Sequence, residues 1–220
     1  MIERDISRPF RFIFSVILTI VLAVAVKINA GYLNFLDSSV RGTLQSHHSN
    51  FQDILYKSIS FIASPKMTLL WVFIIAFILW GFKFKLPAVF SIGLVLGGDF
   101  IGFILKEIIQ RPRPTLHLPS DDGYSFPSGH TLGFVLLAAV FWVVIIPLIK
   151  KQFTRFILKL FVLILVILVM ISRIYLSAHF PSDTVAAFLV AYAWLQFSKA
   201  FYIRHSRKMS QMKIFRNSYF

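Results

Sequence analysis

The sequence predicts an all-α integral membrane bundle of six transmembrane helices. Three observations predict it. Of 220 residues, 57% are apolar and only 15% are charged, whereas a soluble domain carries about 45–50% apolar and about 25% charged residues. Mean hydropathy is +0.76. The apolar residues fall into six stretches, and at about 20 residues per crossing the chain has room for six with short loops. The same composition excludes disorder, collagen and coiled coil. The chain has no cysteine, which excludes a disulfide framework, a thiolate nucleophile and Cys-ligated zinc or iron–sulfur clusters. The net charge of +14 fits Lys and Arg at helix ends, against anionic headgroups. No nucleic-acid partner is expected.

The first span runs over 10–26. Arg4, Arg8 and Arg11 flank it, and no small-residue cleavage site follows, so it reads as a retained anchor. The loop at 30–66 contains Phe51, Ile54, Leu55, Ile59 and Ile62 at helical spacing, opposite Gln52, Asp53, Lys57 and Ser60. This reads as an amphipathic helix lying on the outer membrane surface, a structural cover in preference to the alternative, a wall of a lipid entrance. The second span covers 67–80, with room to extend to Ile62 and Phe82. The third, 86–105, is interrupted only by Asp99, read as a buried structural hydrogen bond. The fourth is 131–149, the fifth 156–171 and the sixth 184–201. The basic tail at 204–220 reads as a contact with anionic inner-leaflet lipid. Residues 1–220 form a single membrane-embedded domain.

Loop charge gives an orientation. With a cytoplasmic N-terminus the inside holds Arg4, Arg8, Arg11, Lys83, Lys85, the cluster at 150–159 and the basic residues of 199–216. The longer outside loops hold only Lys27, Arg41, Lys57, Lys66, Lys106, Arg111, Arg113 and Arg173. Six spans put both termini in the cytoplasm. The loops after spans one, three and five then face outward.

Those outward loops carry most of the notable polar residues. Lys106 closes the third span, His130 opens the fourth, Arg173 closes the fifth and Asp183 opens the sixth. Converging Lys and Arg want an anion, and the planar Arg fork matches phosphate oxygens. Ser128 and Gly129 precede a helix N-terminus, where free N–H groups and the helix dipole favour an anion. Pro112 and Pro114 stiffen the segment bearing Arg111 and Arg113. Two histidines beside a phosphate offer attack on phosphorus and protonation of the leaving oxygen. An attacking imidazole needs its tautomer fixed, and Asp183 is four residues after His179, near enough to do it.

Lys106 with Arg113-Pro114, then Pro127-Ser128-Gly129-His130, then Ser172-Arg173 with His179 and Asp183, resembles the three-part signature of the type 2 phosphatidic acid phosphatase superfamily. That superfamily also contains the vanadium haloperoxidases. The resemblance implies a metal-independent lipid phosphatase, of the compact bacterial phosphatidylglycerophosphatase type, with no cofactor. His179 is then the nucleophile of a phosphohistidine, Asp183 orients it, and His130 is the general acid. Lys106, Arg113, Ser128, Gly129 and Arg173 hold the phosphate. The expected partners are membrane lipids and a phosphorylated lipid substrate, undecaprenyl diphosphate or phosphatidylglycerol phosphate. A phosphotransferase using the same residues is the alternative. A lipid or anion transporter fits less well, because the polar set lies at one surface and the halves show no repeat.

Other polar residues are set aside. Arg111 is off the signature position and is expected to meet headgroups. Asp121 and Asp122 read as a turn before Gly123 rather than as metal ligands. His47, His48, His117 and His205 are expected to be solvated. Oligomeric state is not encoded in any of these features.

Overall fold

A computed structural model describes residues 5–46, 49–117, 121–215 and 217–219. Arg4, His47 and His48, named above, and Arg216 of the basic tail lie outside the described residues. The described chain is helical and contains no strand. The order is α1 (Arg8–Lys27), α2 (Gly31–Gln45), α3 (Asn50–Ile62), α4 (Pro65–Gly81), α5 (Lys85–Ile109), α6 (Gly129–Val140), α7 (Gln152–Tyr175) and α8 (Pro181–Ser210). α6 continues as a π turn (Phe141–Ile145) and a 3-10 turn (Ile146–Leu148), so that its crossing covers Gly129–Leu148. Pro147, which has no N–H to donate, sits in that final turn.

Five crossings, α1, α5, α6 with its extension, α7 and α8, are each long and apolar enough to span a membrane unaided. The sixth is α4. It has 17 residues, about 25 Å at 1.5 Å per residue, against a hydrocarbon core of about 30 Å. α3 joins it at a bend of 54°. Ser64 and Pro65 make that break, with Pro65 at the first helical position. The amphipathic helix expected over 51–62 is therefore α3, capped by Ser49, whose side chain accepts from the Gln52 N–H.

α2 was not expected. Its face toward the bundle carries Leu33 and Asp37, one turn apart, while Tyr32, Phe35 and Leu36 are exposed. A helix bedded in lipid shows apolar residues outward, which disguises the period used for soluble helices.

α5, α6 and α8 form the centre. Leu94, Val95, Leu132, Leu136, Val140, Ala187 and Ala191 are buried there. Glycines allow the close approach: a Cβ on Gly98 would stand 2.2 Å from Leu136 Cδ1, and one on Gly102 2.3 Å from Leu132 Cδ2. Small residues one turn apart let membrane helices meet backbone to backbone. α1 packs on α8, α4 on α5 and α6, and α7 on α6 and α3. The outer faces of α1 and α7 expose Phe10, Phe14, Ile17, Phe153, Phe156 and Phe161, as lipid-facing helices do.

Two expectations need correction. The Asp99 carboxylate makes no hydrogen bond among the described residues; it is half-buried near Gly133 and Thr68. The end of the basic tail packs on protein. Phe215 is buried beside Trp80, Lys85 Nζ donates to the Ile214 carbonyl (2.8 Å), and Tyr219 N donates to the Lys83 carbonyl (2.9 Å). These contacts satisfy the orphan groups where α4 turns into α5.

Candidate active site

Three local constructions bring the site together at one end of the bundle. Lys106 lies in the last turn of α5, which Gln110 ends in a left-handed conformation at φ 55°. Lys27 Nζ caps that terminus through the Ile108 and Ile109 carbonyls (3.0 and 3.1 Å). The segment after it is pinned by Ser125, whose N–H donates to the Arg111 carbonyl (2.8 Å) and whose hydroxyl donates to the Pro112 carbonyl (3.0 Å). Ser128 then caps α6: its hydroxyl accepts from Thr131 N (3.4 Å), and its own N–H donates to the Asp183 carbonyl (3.2 Å). Nothing but Pro65 Cγ, at 3.9 Å, comes near a Cβ built on Gly129, so the approach to this helix N-terminus is open.

The third construction is the turn from α7 to α8. Arg173 is in the last turn of α7, and its carbonyl accepts from Ala178 N (3.1 Å) and His179 N (3.2 Å). Pro181 starts α8 and Asp183 Oδ2 accepts from Phe180 N (2.9 Å). The negative side chain at the helix N-terminus also suits the dipole. His179 is thereby held outside the helix, as the Pro181 signal implied.

His179 is buried, and its Nδ1 lies 2.7 Å from the Ser125 carbonyl oxygen. A carbonyl only accepts, so Nδ1 carries the proton and Nε2 keeps its lone pair. Nε2 lies 3.3 Å from Arg113 Nη1. Asp183 Oδ2 is 3.7 Å from Nδ1, too far for a direct hydrogen bond. The orienting bond expected from Asp183 is thus made by Ser125. Asp183 is otherwise engaged: Oδ2 by Phe180 N, Oδ1 by Arg111 Nη1 at 2.7 Å. Burial pushes the His179 imidazole down to about 4; the charges of Arg173 and Arg113 add to this and Asp183 opposes it. The ring is neutral at ordinary pH, as a nucleophile must be.

The cations converge. Arg113 donates from Nη1 to the Ala178 carbonyl (2.8 Å), and Arg173 donates to Ser60 of α3 and to Asp121 (2.7 Å). Lys106 Nζ donates to the Tyr124 carbonyl at 2.5 Å. His130 is half-buried in the first turn of α6, within electrostatic reach of Arg173, His179, Arg113 and Lys106, with no hydrogen-bond partner among the described residues. All eight residues picked from the sequence therefore lie at this one end. Among the described residues, no group of three or more His, Asp or Glu could hold a metal ion.

Besides Ser125 and Ser182, four participants escaped sequence reasoning. Arg111 does not meet headgroups. It is buried, donating from Nη2 to Asp37 (2.7 Å) and from Nη1 to Asp183 and Ser182 (both 2.7 Å), with Phe180 4.0 Å below its guanidinium. Asp37 in turn accepts from Ser182 N (2.9 Å) and Ser182 Oγ (2.6 Å). Three acceptors and an aromatic face outweigh the pull of the interface. Asp37, Ser60 and Asp121 are the other three. Only Asp37 left a signal, an acid one turn from Leu33 and directly after Phe35 and Leu36. Asp121 does sit before the turn at Gly123 (φ 69°), but it also pairs with Arg173. His117 Nδ1 lies 2.9 Å from the Pro114 carbonyl and His205 Nδ1 2.9 Å from that of Phe201, so both have local partners.

Comparison with known proteins agrees with this layout. The model of the PAP2 superfamily matches residues 84–207, which include every signature residue but neither Asp37 nor Ser60. Phosphatidylglycerophosphatase B of Bacillus subtilis (strain 168) is 34% identical over 100 residues, 43% of this chain; the match spans about half, 48%, of that relative's length. The crystal structure of the transmembrane PAP2 type phosphatidylglycerolphosphate phosphatase from Bacillus subtilis superposes with a TM-score of 0.77 at 20% identity, over 93% of this chain and 100% of that one. Aquifex aeolicus LpxE superposes with a TM-score of 0.59 at 20% identity, over 74% and 94%. The two structures share the fold, and the family match covers more than half of the sequence with all three signature segments inside it: the chain belongs to the PAP2 superfamily.

Proposed function

We propose that this chain is a metal-independent lipid phosphatase working through a phosphohistidine, as a single membrane-embedded domain with its site at the extracytoplasmic face. The observation that carries the proposal is the fixed tautomer of His179. Its Nδ1 proton is committed to Ser125, and its Nε2 lone pair faces Arg113. In the first step Nε2 attacks phosphorus, a P–N bond forms and the P–O bond to the lipid breaks. Lys106, Arg113 and Arg173, with the N–H groups at the start of α6, balance the charge on the phosphoryl oxygens. With the negative charge of the substrate in place among these cations His130 is protonated, and it gives that proton to the departing lipid oxygen. Water, activated by the now neutral His130, then attacks phosphorus, the P–N bond breaks and inorganic phosphate leaves.

Asp183 serves by charge rather than by a direct bond, stabilising positive charge on His179 as the P–N bond forms. The substrate favoured is a lipid phosphomonoester of the phosphatidylglycerol phosphate kind, on the likeness to the Bacillus relative. Purified full-length chain in detergent with EDTA, offered phosphatidylglycerol phosphate, phosphatidic acid, a lysolipid phosphate and undecaprenyl diphosphate, tests this. Phosphate release should be fastest from phosphatidylglycerol phosphate, and His179→Asn should abolish release from all four. Strict dependence on magnesium, or release that survives His179→Asn, would overturn the mechanism.

A further inference from the structure

All three cations assigned to the phosphate are met by one four-residue segment, 121–124. Asp121 Oδ1 accepts from Arg173 Nη2 at 2.7 Å. The Asp122 and Gly123 carbonyls accept from Arg113 Nη2 (2.7 Å) and Nε (3.0 Å). The Tyr124 carbonyl accepts from Lys106 Nζ (2.5 Å). These are donors a phosphoryl group needs, and each N–H already bonded at 2.5–3.0 Å is withheld from it while the segment stays in place, although Lys106 Nζ keeps two further hydrogens. Two buried atoms mark the strain of the fit. Asp121 Oδ2 and Arg173 Nε have no hydrogen-bond partner among the described residues, and a buried polar group left unpaired is costly.

We infer that segment 121–124 is an internal anion surrogate that the substrate phosphate displaces, and that the single charge of Asp121 sets which lipids can displace it. The inference rests on the function proposed above. Asp122 and Gly123 are exposed, so once displaced their carbonyls have water to bond, and Gly123 (φ 69°) gives the backbone a turn that side-chain-bearing residues resist.

The exchange has a simple charge balance. A phosphodiester headgroup carries one negative charge. Replacing the Asp121 carboxylate by such a headgroup leaves the charge facing Lys106, Arg113 and Arg173 unchanged, and the carbonyl contacts are lost besides. A phosphomonoester or a terminal diphosphate carries up to two charges at neutral pH. Its entry adds one negative charge against three cations. Asp121 therefore discriminates against the diester lipids that surround the protein in excess, by competing with them on equal terms. Nothing in the three-part signature assigns this residue a part.

Asp121→Asn keeps the shape and removes the charge; Asp121→Glu keeps the charge. Orthovanadate binding to the purified full-length variants is measured by calorimetry. Inhibition by phosphatidylglycerol is measured in mixed micelles, with neutral detergent added to the same lipid dilution as reference. In Asp121→Asn, vanadate should bind about tenfold tighter or more, since a charge-assisted hydrogen bond no longer has to be displaced. Phosphatidylglycerol should become a competitive inhibitor of Asp121→Asn and should not inhibit the native chain or Asp121→Glu. Equal vanadate affinity in native and Asp121→Asn chains overturns the inference. So does weaker binding in Asp121→Asn with native binding in Asp121→Glu, which would make Asp121 a support for Arg173. Absence of phosphate release by the native chain would defeat the proposed function instead, and the calorimetric comparison is independent of that outcome.

Discussion

Replacing Arg111 by methionine removes the one positive charge between two buried carboxylates. Asp37 is 2% exposed and Asp183 0%, and each lies 2.7 Å from a different guanidinium nitrogen. At that distance and an effective dielectric of about 20, each pair contributes about 6 kcal/mol of gross Coulomb attraction. Desolvation of the ions cancels much of this, and breaking one buried pair typically costs about 3–5 kcal/mol. Here one substitution breaks two, against a total stability of about 5–15 kcal/mol for an ordinary domain. Arg111→Met should therefore shorten the thermal-inactivation half-life in detergent by well over tenfold. The cluster carries one net negative charge in the native chain, two in Arg111→Met, and one again in Arg111→Met with Asp37→Asn. The double variant should recover part of the loss, with a coupling of about 0.5–3 kcal/mol. Activity per folded molecule, corrected by a folded-state assay such as near-UV circular dichroism, should remain reduced in both, because Asp183 loses the bond that holds Oδ1. An Arg111→Met chain as long-lived as the native one, or a double variant no better than the single, would refute the reasoning.

Three further outcomes are expected. His130→Asn should slow phosphatidic acid hydrolysis about 10²–10⁴-fold and diphosphate hydrolysis far less, since an alkoxide leaves as the base of an acid with pKa about 16 and a phosphate leaves with pKa about 6; equal losses, without phosphoenzyme build-up, would reassign His130 to holding phosphate. His179 is held at about 4 against an ordinary 6.5, so the folded chain resists its protonation. That contribution to stability is whole above pH 6.5 and fades as pH falls through 4. The inactivation half-life should decline less steeply over that window in His179→Asn than in the native chain, and parallel declines would contradict the assignment. Finally, with the chain free of cysteine, Asp122→Cys should react with an impermeant thiol reagent in intact cells and Lys208→Cys should not; the reverse pattern would invert the proposed orientation.

The spans and the signature segments were legible because their signals are local. Apolar runs of membrane length, Pro65 and Pro181 at helix starts, and Ser128 before Gly129 each act within a few residues. The ends of α5, α6, α7 and α8 follow from those signals, and the sequence by itself determined that Lys106, His130, Arg173 and Asp183 share one end of the bundle. Which atoms then meet is another matter. Arg111 finds its acids 72 and 74 residues away, and Ser125 reaches His179 across 54. No local pattern says which way a guanidinium swings or which of two acceptors an imidazole takes. α2 had to be folded against α8 before Asp37 could draw Arg111 inward and leave Asp183 engaged. With Asp183 engaged, the Ser125 carbonyl became the partner that fixes the His179 tautomer. Sequence determined the chemical groups and their shared end of the bundle; tertiary structure decided their pairing, because hydrogen-bond and charge partners are chosen by three-dimensional proximity among groups that the chain itself keeps far apart.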